Sequence, residues 1–229
     1  MKILAIGDLD ALFGDYKIFE KILQKEKEPD AFLIAGDLTQ WGTIEEYIKL
    51  VDAIKKMDWS CPIIACLGNH DPEGAEKKFS SVSERIRILN EERIQLNING
   101  EKFWIVGSRG SLESGSLSYY IDAAKHSDLE KRMRKIEELL SSCKGEKILL
   151  THYSPTYKTL EGEPQQIWGG LGDPRMERIL LKTKVTFALH GHAHYGLPMA
   201  FVEKIPVFDI AYPIRAGFTH IDTKKLPKP

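Results

Sequence analysis

The sequence predicts a layered α/β fold from three observations. Short, continuous apolar runs recur along the chain, amphipathic stretches of helical period lie between them, and after His194 the pattern turns to short strands punctuated by turns. Apolar runs of about 4–6 residues suit strands covered on both faces, as in a parallel sheet between helices. The closing stretch suits antiparallel pairing instead. Strands alternating with helices and then succeeding one another directly indicate packed layers.

KILAIG from Lys2 is the first run, and Asp15 to Glu28 then places Tyr16, Phe19, Ile22 and Leu23 on one helical face before Pro29 stops it. AFLIAG from Ala31 comes second. Thr43 with Glu46 three residues on forms a capping box for a second helix, whose Ile44, Tyr47, Ile48, Val51 and Ile54 recur at helical spacing. Next come PIIACLG from Pro62 and FWIVGS from Phe103. Leu129, Met133, Ile136 and Leu140 make the third helical stripe, in a segment whose many Lys, Arg and Glu residues form its solvated side. KILLTH from Lys147 precedes Asp173-Pro174, an N-cap with proline in the first turn that opens a fourth helix to about Leu181. VTFALHG from Val185 is the last long run. Strands over roughly Leu197 to Val202, Ile205 to Ile210 and Ala216 to Ile221 complete the chain.

At 229 residues the chain suits one α/β domain over 1–229, with residues 223–229 expected as a frayed tail. Basic and acidic residues balance, 32 against 33, so no extended nucleic-acid surface is expected. Cys61, Cys66 and Cys143 form no C-x-x-C pair, and an odd count argues against a disulfide framework. A reducing, cytoplasmic compartment is the expectation. The first apolar run is interrupted at Asp8, too early for a signal-peptide core, and no stretch approaches the ~20 apolar residues of a membrane span.

The residues capable of chemistry stand at the end of each run. The first run leads into Asp8 and Asp10, the second into Gly36-Asp37, and the third into Gly68-Asn69-His70-Asp71. Later runs give Thr151-His152 and Gly191-His192-Ala193-His194. In a parallel sheet the crevice outside the carboxyl ends of the strands holds the ligand, so these residues should converge. Gathered carboxylates repel one another unless a cation is present. The mixture of carboxylate and imidazole suits Mn, Fe, Zn, Co or Ni. With His70 excluded, the candidate ligands Asp8, Asp10, Asp37, Asn69, His152, His192 and His194 exceed what one ion takes from protein, and two divalent ions are expected.

This ordered series resembles the calcineurin-like metallophosphoesterases, whose pattern is D-x-H, G-D, G-N-H-[DE], H and G-H-x-H. The matching motifs span Asp8 to His194. The resemblance implies a four-layer α/β/β/α sandwich of two mixed β-sheets flanked by helices, with a dinuclear metal centre. It implies Asp8 and His194 at the first metal, Asp37 bridging, and Asn69, His152 and His192 at the second. His70 would stand beside the metals to assist the leaving oxygen, with Asp71 orienting it. Hydrolysis would proceed without a covalent intermediate, by a hydroxide bridging ions about 3.5–4 Å apart. Asp10 is the departure, since the family places histidine there. A carboxylate at that position favours Mn or Fe over Zn.

The function expected is a metal-dependent phosphoesterase acting on a small-molecule or nucleotide phosphoester, with no membrane partner. The extra negative charge of Asp10 leans the expectation toward monoanionic phosphodiesters. The alternative is a non-catalytic binding scaffold that retains the fold, which only Asp10 encourages. Arg109 is a candidate substrate-binding residue, because a guanidinium fork suits phosphate, in the loop GSRGSLESGSLSYY from Gly107. A second loop from Tyr153 to Gly172, carrying Tyr157 and Trp168, is long enough to border a site. His190 extends the alternation to HGHAH but is expected to belong to the strand end, supporting the site at most from behind. No G-x-G-x-x-G succeeds the first strand.

Overall fold

The computed structural model describes residues 1–98, 100–113 and 123–229, with residues 123–127 by backbone alone. Of the glycine-rich loop from Gly107, residues 114–120 lie outside the described residues.

The first five-stranded sheet contains β1 (Lys2–Ile6), β2 (Ala31–Ala35), β3 (Ile63–Cys66), β4 (Arg87–Ile88) and β11 (Thr219–Asp222), in the order β11-β1-β2-β3-β4. The second, six-stranded sheet contains β5 (Glu92–Ile98), β6 (Glu101–Ser108), β7 (Glu146–Thr151), β8 (Phe187–His190), β9 (Met199–Val202) and β10 (Ile205–Asp209), in the order β5-β6-β7-β8-β10-β9. Both sheets are mixed. β11 runs antiparallel to β1, β5 to β6 and β9 to β10, while the inner pairs are parallel. The helices are α1 (Tyr16–Leu23), α2 (Ile44–Lys55), α3 (Ala75–Val82), α4 (Ala123–Ser142), α5 (Trp168–Leu171), α6 (Met176–Thr183) and α7 (Tyr212–Arg215).

Three apolar cores separate four layers. Leu4, Ile6, Phe32 and Ile34 point outward from the first sheet onto Phe19 and Leu23 of α1 and Tyr47, Leu50 and Ile54 of α2. Their strand neighbours Ile3, Ala5, Leu33 and Ile64 point the other way, meeting Phe103, Ile105, Ile148 and Leu150 between the sheets. Val106, Leu149 and Ala188 then face Ile136 and Leu140 of α4 and Ile179 and Leu180 of α6. Alternate residues of one strand therefore enter different cores, and this two-sided burial makes the runs continuously apolar. The fold is the four-layer α/β/β/α sandwich of two mixed sheets.

The capping box forms as expected, with Thr43 Oγ1 accepting from Glu46 N at 3.2 Å. Other expectations change. α1 ends at Leu23 because the Gln, Lys and Glu residues after it offer no apolar face. The last strand leaves the closing meander and pairs with β1, so that the chain end closes the first sheet. The residues expected to fray begin tied down. Thr223–Lys225 form a 3-10 turn, the Met1 amino group donates to Thr223 Oγ1 at 2.8 Å, and Leu226 packs on the inter-sheet core.

Candidate metal centre

The site residues lie just past the carboxyl ends of β1, β2, β3, β7 and β8. Asp8, Asp37 and His192 each adopt positive φ, at 59°, 48° and 70°, one residue or so beyond a strand. Asp and His tolerate this left-handed region better than bulkier residues, and it turns the chain sharply back at the sheet edge. The turns lock together, with Asp8 N donating to Gly36 O and Asp10 N to Asp37 O, both at 3.2 Å. The motif glycines have a steric reason. A Cβ on Gly191 would lie 2.2 Å from Asp8 Oδ2, and one on Gly68 would lie 2.1 Å from Asp37 Oδ1. Only a bare backbone lets the carboxylates sit this close.

Two sets of ligand atoms result. One atom each from Asp8, Asp37, His152 and His192 lie within 4.8 Å of one another, as do one each from Asp10, Asp37 and His70. Asp37 belongs to both. Asn69 Oδ1 joins the first set at 2.7 Å from His152 Nε2, and His194 Nε2 lies 3.1 Å from Asp8 Oδ1. The imidazoles are oriented from behind. His152 Nδ1 donates to Ala35 O at 3.0 Å, leaving Nε2 toward Asn69 and toward Asp37 Oδ2, the latter at 3.4 Å. His192 Nε2 donates to Gly170 O at 3.2 Å, which leaves the Nδ1 lone pair free in the neutral ring.

The electrostatics of this cluster call for a cation. Burial, then the charges of Asp8, Asp71 and Asp10, push the Asp37 carboxyl well above the usual carboxylate range. Burial and Asp8 push Asp10 up as well. Asp8 goes the other way, because the His194 hydrogen bond and the His152 charge outweigh its burial. Burial and then His152 lower His192 to about 3, keeping it neutral and able to donate a lone pair. Asp10 Oδ1 is buried with no hydrogen-bond partner among the described residues. Converging carboxylates, a carboxylate oxygen without a donor and imidazoles held by backbone carbonyls are the donor set a divalent cation takes.

His70 stands at the edge of this cluster, its side chain 44% exposed. Its backbone N donates to Asp37 Oδ1 at 2.8 Å, while ring Nδ1 meets Gln40 O at 3.2 Å and lies 3.7 Å from Asp10 Oδ2. Asp71 does not orient this ring, contrary to expectation. The buried Asp71 carboxylate instead accepts from Leu38 N, Thr39 N, Thr39 Oγ1 and Gly68 N, at 2.9 to 3.2 Å. Its bonds join the loops after β2 and β3, and so hold the backbone that carries Asp37 and His70. Arg109 does not face the cluster as a free fork. Its Nη2 donates to Asp71 O at 2.5 Å and Pro72 O at 3.1 Å, clamping the same loop from outside.

Sequence reasoning misses Glu163 and Gln40. Glu163 Oε1 accepts from His194 N at 2.6 Å and Tyr195 N at 2.7 Å, fixing the loop after β8, and Gln40 contributes only its carbonyl. Neither role leaves a local motif. His190 is buried behind the cluster, its Nδ1 on Gly191 O at 2.7 Å and its Nε2 on Thr159 Oγ1 at 2.9 Å, and burial lowers it to about 4.

A probable cyclic nucleotide phosphodiesterase of Pseudoalteromonas sp. (strain SM9913) is 21% identical over 183 residues, covering 78% of this chain and 61% of that protein. A probable glycerophosphodiester phosphodiesterase of Arcobacter nitrofigilis is 27% identical over 196 residues, covering 83% and 66%. The chain thus spans less than two thirds of the length of these curated relatives. Among solved structures, the phosphopantetheinyl hydrolase of Mycobacterium tuberculosis shares the fold, with a TM-score of 0.72 at 14% identity over 99% of this chain and 98% of that one. Residues 1–196 match the sequence pattern of the calcineurin-like phosphoesterases, and the chain belongs to that family.

Proposed function

We propose that this chain is a metal-dependent phosphodiesterase with two divalent ions at the ends of β1, β2, β3, β7 and β8. The observation that carries the reading is Asp37, which belongs to both sets of ligand atoms and is the most strongly charge-crowded of the candidate ligands. By the family pattern Asp8, Asp10 and His194 would hold one ion, Asn69, His152 and His192 the other, and Asp37 both, although the Asp8 ligand atom lies with those of His152 and His192 and the His70 ligand atom with that of Asp10. Such ions supply Lewis acidity toward phosphoryl oxygens and a low pKa for water at neutral pH. The chain's own residues do the rest. The Ala35 and Gly170 carbonyls fix the ring orientations of His152 and His192. Asp71 holds the loops of Asp37 and His70 in register, and His70 delivers a proton to the leaving oxygen at the mouth.

The Asp10 carboxylate, where the family places an imidazole, would make the metal-loaded site one charge less positive, which disfavours a dianionic monoester relative to a monoanionic diester. The names of the relatives, probable phosphodiesterases, support the same lean. Residues 1–229 are read as one domain, because β9 and β10 beyond the family match complete the second sheet and β11 the first. Three buried free thiols fit a cytoplasmic setting. No helix among the described residues is long and apolar enough to cross a membrane.

The test is hydrolysis of a chromogenic phosphodiester by metal-stripped protein, with Mn²⁺, Fe²⁺, Co²⁺, Ni²⁺, Zn²⁺ and Mg²⁺ added in turn. Mn²⁺ is expected to restore activity at least about 100-fold above the stripped protein. Failure with every ion would refute the reading and bring the non-catalytic scaffold forward.

Asp10 gives a second test. An imidazole is the softer donor, so Asp10→His is expected to raise the ratio of Zn²⁺ to Mn²⁺ affinity by about tenfold in calorimetric titration. An unchanged ratio would mean that the Asp10 carboxylate serves His70 and no ion.

A further inference from the structure

The three most exposed large apolar side chains among the described residues are Phe13 at 82%, Tyr195 at 77% and Trp41 at 75%. All three are aromatic, and all sit on loops of the candidate metal centre. Phe13 closes the turn that carries Asp10, Trp41 comes directly after the carbonyl that meets His70, and Tyr195 directly after His194.

Their backbones are pinned while their rings are left in water. Phe13 N donates to Asp10 O at 2.8 Å, and the residue is held at φ 51°, ψ 38°, a conformation bulky side chains seldom adopt. Trp41 N donates to Glu46 Oε2 at 2.9 Å, and Tyr195 N to Glu163 Oε1 at 2.7 Å. The Phe13 and Trp41 loops are neighbours, since a Cβ on Gly14 would lie 3.8 Å from Gln40 Oε1. The Trp41 loop in turn abuts the His70 loop, where a Cβ on Gly42 would lie 3.3 Å from His70 O. A rigid backbone presenting an unburied ring has already met the ordering cost of binding.

Resting on the phosphodiesterase reading, we infer that Trp41 and Phe13 form the specificity surface of the centre, stacking on a planar aromatic group carried by the ester, of the nucleobase class. They lie on the His70 side, where the leaving group departs. The surrounding side chains favour a neutral, planar occupant over a lipid surface. Within five positions of these rings in sequence Asp10, Asp15, Glu45 and Glu46 outnumber the single basic residue, Lys17, where an anionic membrane would need a basic rim. Stacking also needs no hydrogen-bonding partner, and the ring faces offer none.

The experiment compares a nucleoside cyclic phosphate with an aliphatic glycerol phosphodiester on the Mn²⁺-loaded wild type, Trp41→Ala and Trp41→Phe. Trp41→Ala should raise KM for the nucleotide by about tenfold with kcat little changed, and Trp41→Phe should restore it. KM for the aliphatic ester should not move. Equal effects on both esters, or none on the nucleotide, overturn the inference, whereas loss of wild-type activity on both overturns the phosphodiesterase reading. Calorimetry with adenosine monophosphate and ribose 5-phosphate decides the inference without turnover. The first should bind Trp41→Ala about tenfold more weakly than wild type, and the second, lacking a base, should bind both alike. Absence of any preference of wild type for the base-bearing ligand counts against it.

Discussion

Asp37→Asn is expected to abolish activity, by about 10³-fold or more, while making the metal-free protein more stable. Asp37 is 3% exposed, and burial with three neighbouring acids pushes its carboxyl well above the usual range. A group whose folded pKa is raised contributes full stability below its unfolded pKa of about 4 and loses it as pH rises through the folded value. In metal-free wild type that loss should appear on going from pH 4 toward neutrality. Asparagine keeps an oxygen for His70 N and removes the charge, so the difference in Tm between the two proteins should widen with pH in favour of the variant. Relief on the order of 1–2 kcal/mol corresponds to a rise of about 2–8 °C at neutral pH. With Mn²⁺ present the order should reverse, because only wild type gains linkage from a tightly held ion. Thermal melts with and without metal across that pH range check both signs. A metal-free variant that melts below wild type at neutral pH would show that the repulsion at Asp37 is already relieved by some other group.

How much of the fold and site is legible in the sequence depends on whether a residue's role leaves a local pattern. β2 reads plainly because every residue from Ala31 to Ala35 is buried, so the sequence shows an unbroken apolar run. β5 escapes notice because it lies at a sheet edge, its Ile94, Leu96 and Ile98 alternating with Arg93, Gln95 and Asn97. The period-2 signal is there, masked by charge. α3 buries only Ala75 and Phe79, too few for a helical stripe to stand out. The convergence of Asp8, Asp37, His152 and His192 is readable because parallel strands deliver their carboxyl ends to one edge. What a sequence does not carry is direction at close range. Asp71 and His70 are adjacent, yet the carboxylate turns to backbone donors on the neighbouring loop because a fully buried acid needs several of them. Glu163 acts 31 residues away on a backbone amide, a partnership no side-chain motif records.

His70→Ala should leave metal affinity within about twofold of wild type and lower turnover about 10²–10⁴-fold on an ester with an alkyl leaving group. On a nitrophenyl ester the loss should be only about tenfold or less, because that leaving group departs without a proton. The split between leaving groups is what distinguishes a proton donor from a residue that merely shapes the site. His70 Nδ1 faces Gln40 O at 3.2 Å, which marks it as the N–H side and leaves Nε2 for the substrate. Asp10 Oδ2 lies 3.7 Å from the same Nδ1. The same geometry offers a rival, since Asp10, Asp37 and His70 bring ligand atoms within 4.8 Å of one another. If His70 binds an ion through this set, His70→Ala should weaken metal binding by about tenfold or more and lower turnover on both leaving groups alike. The two readings therefore predict opposite pairs of results, and the decisive comparison is calorimetric metal titration beside kcat on the two esters.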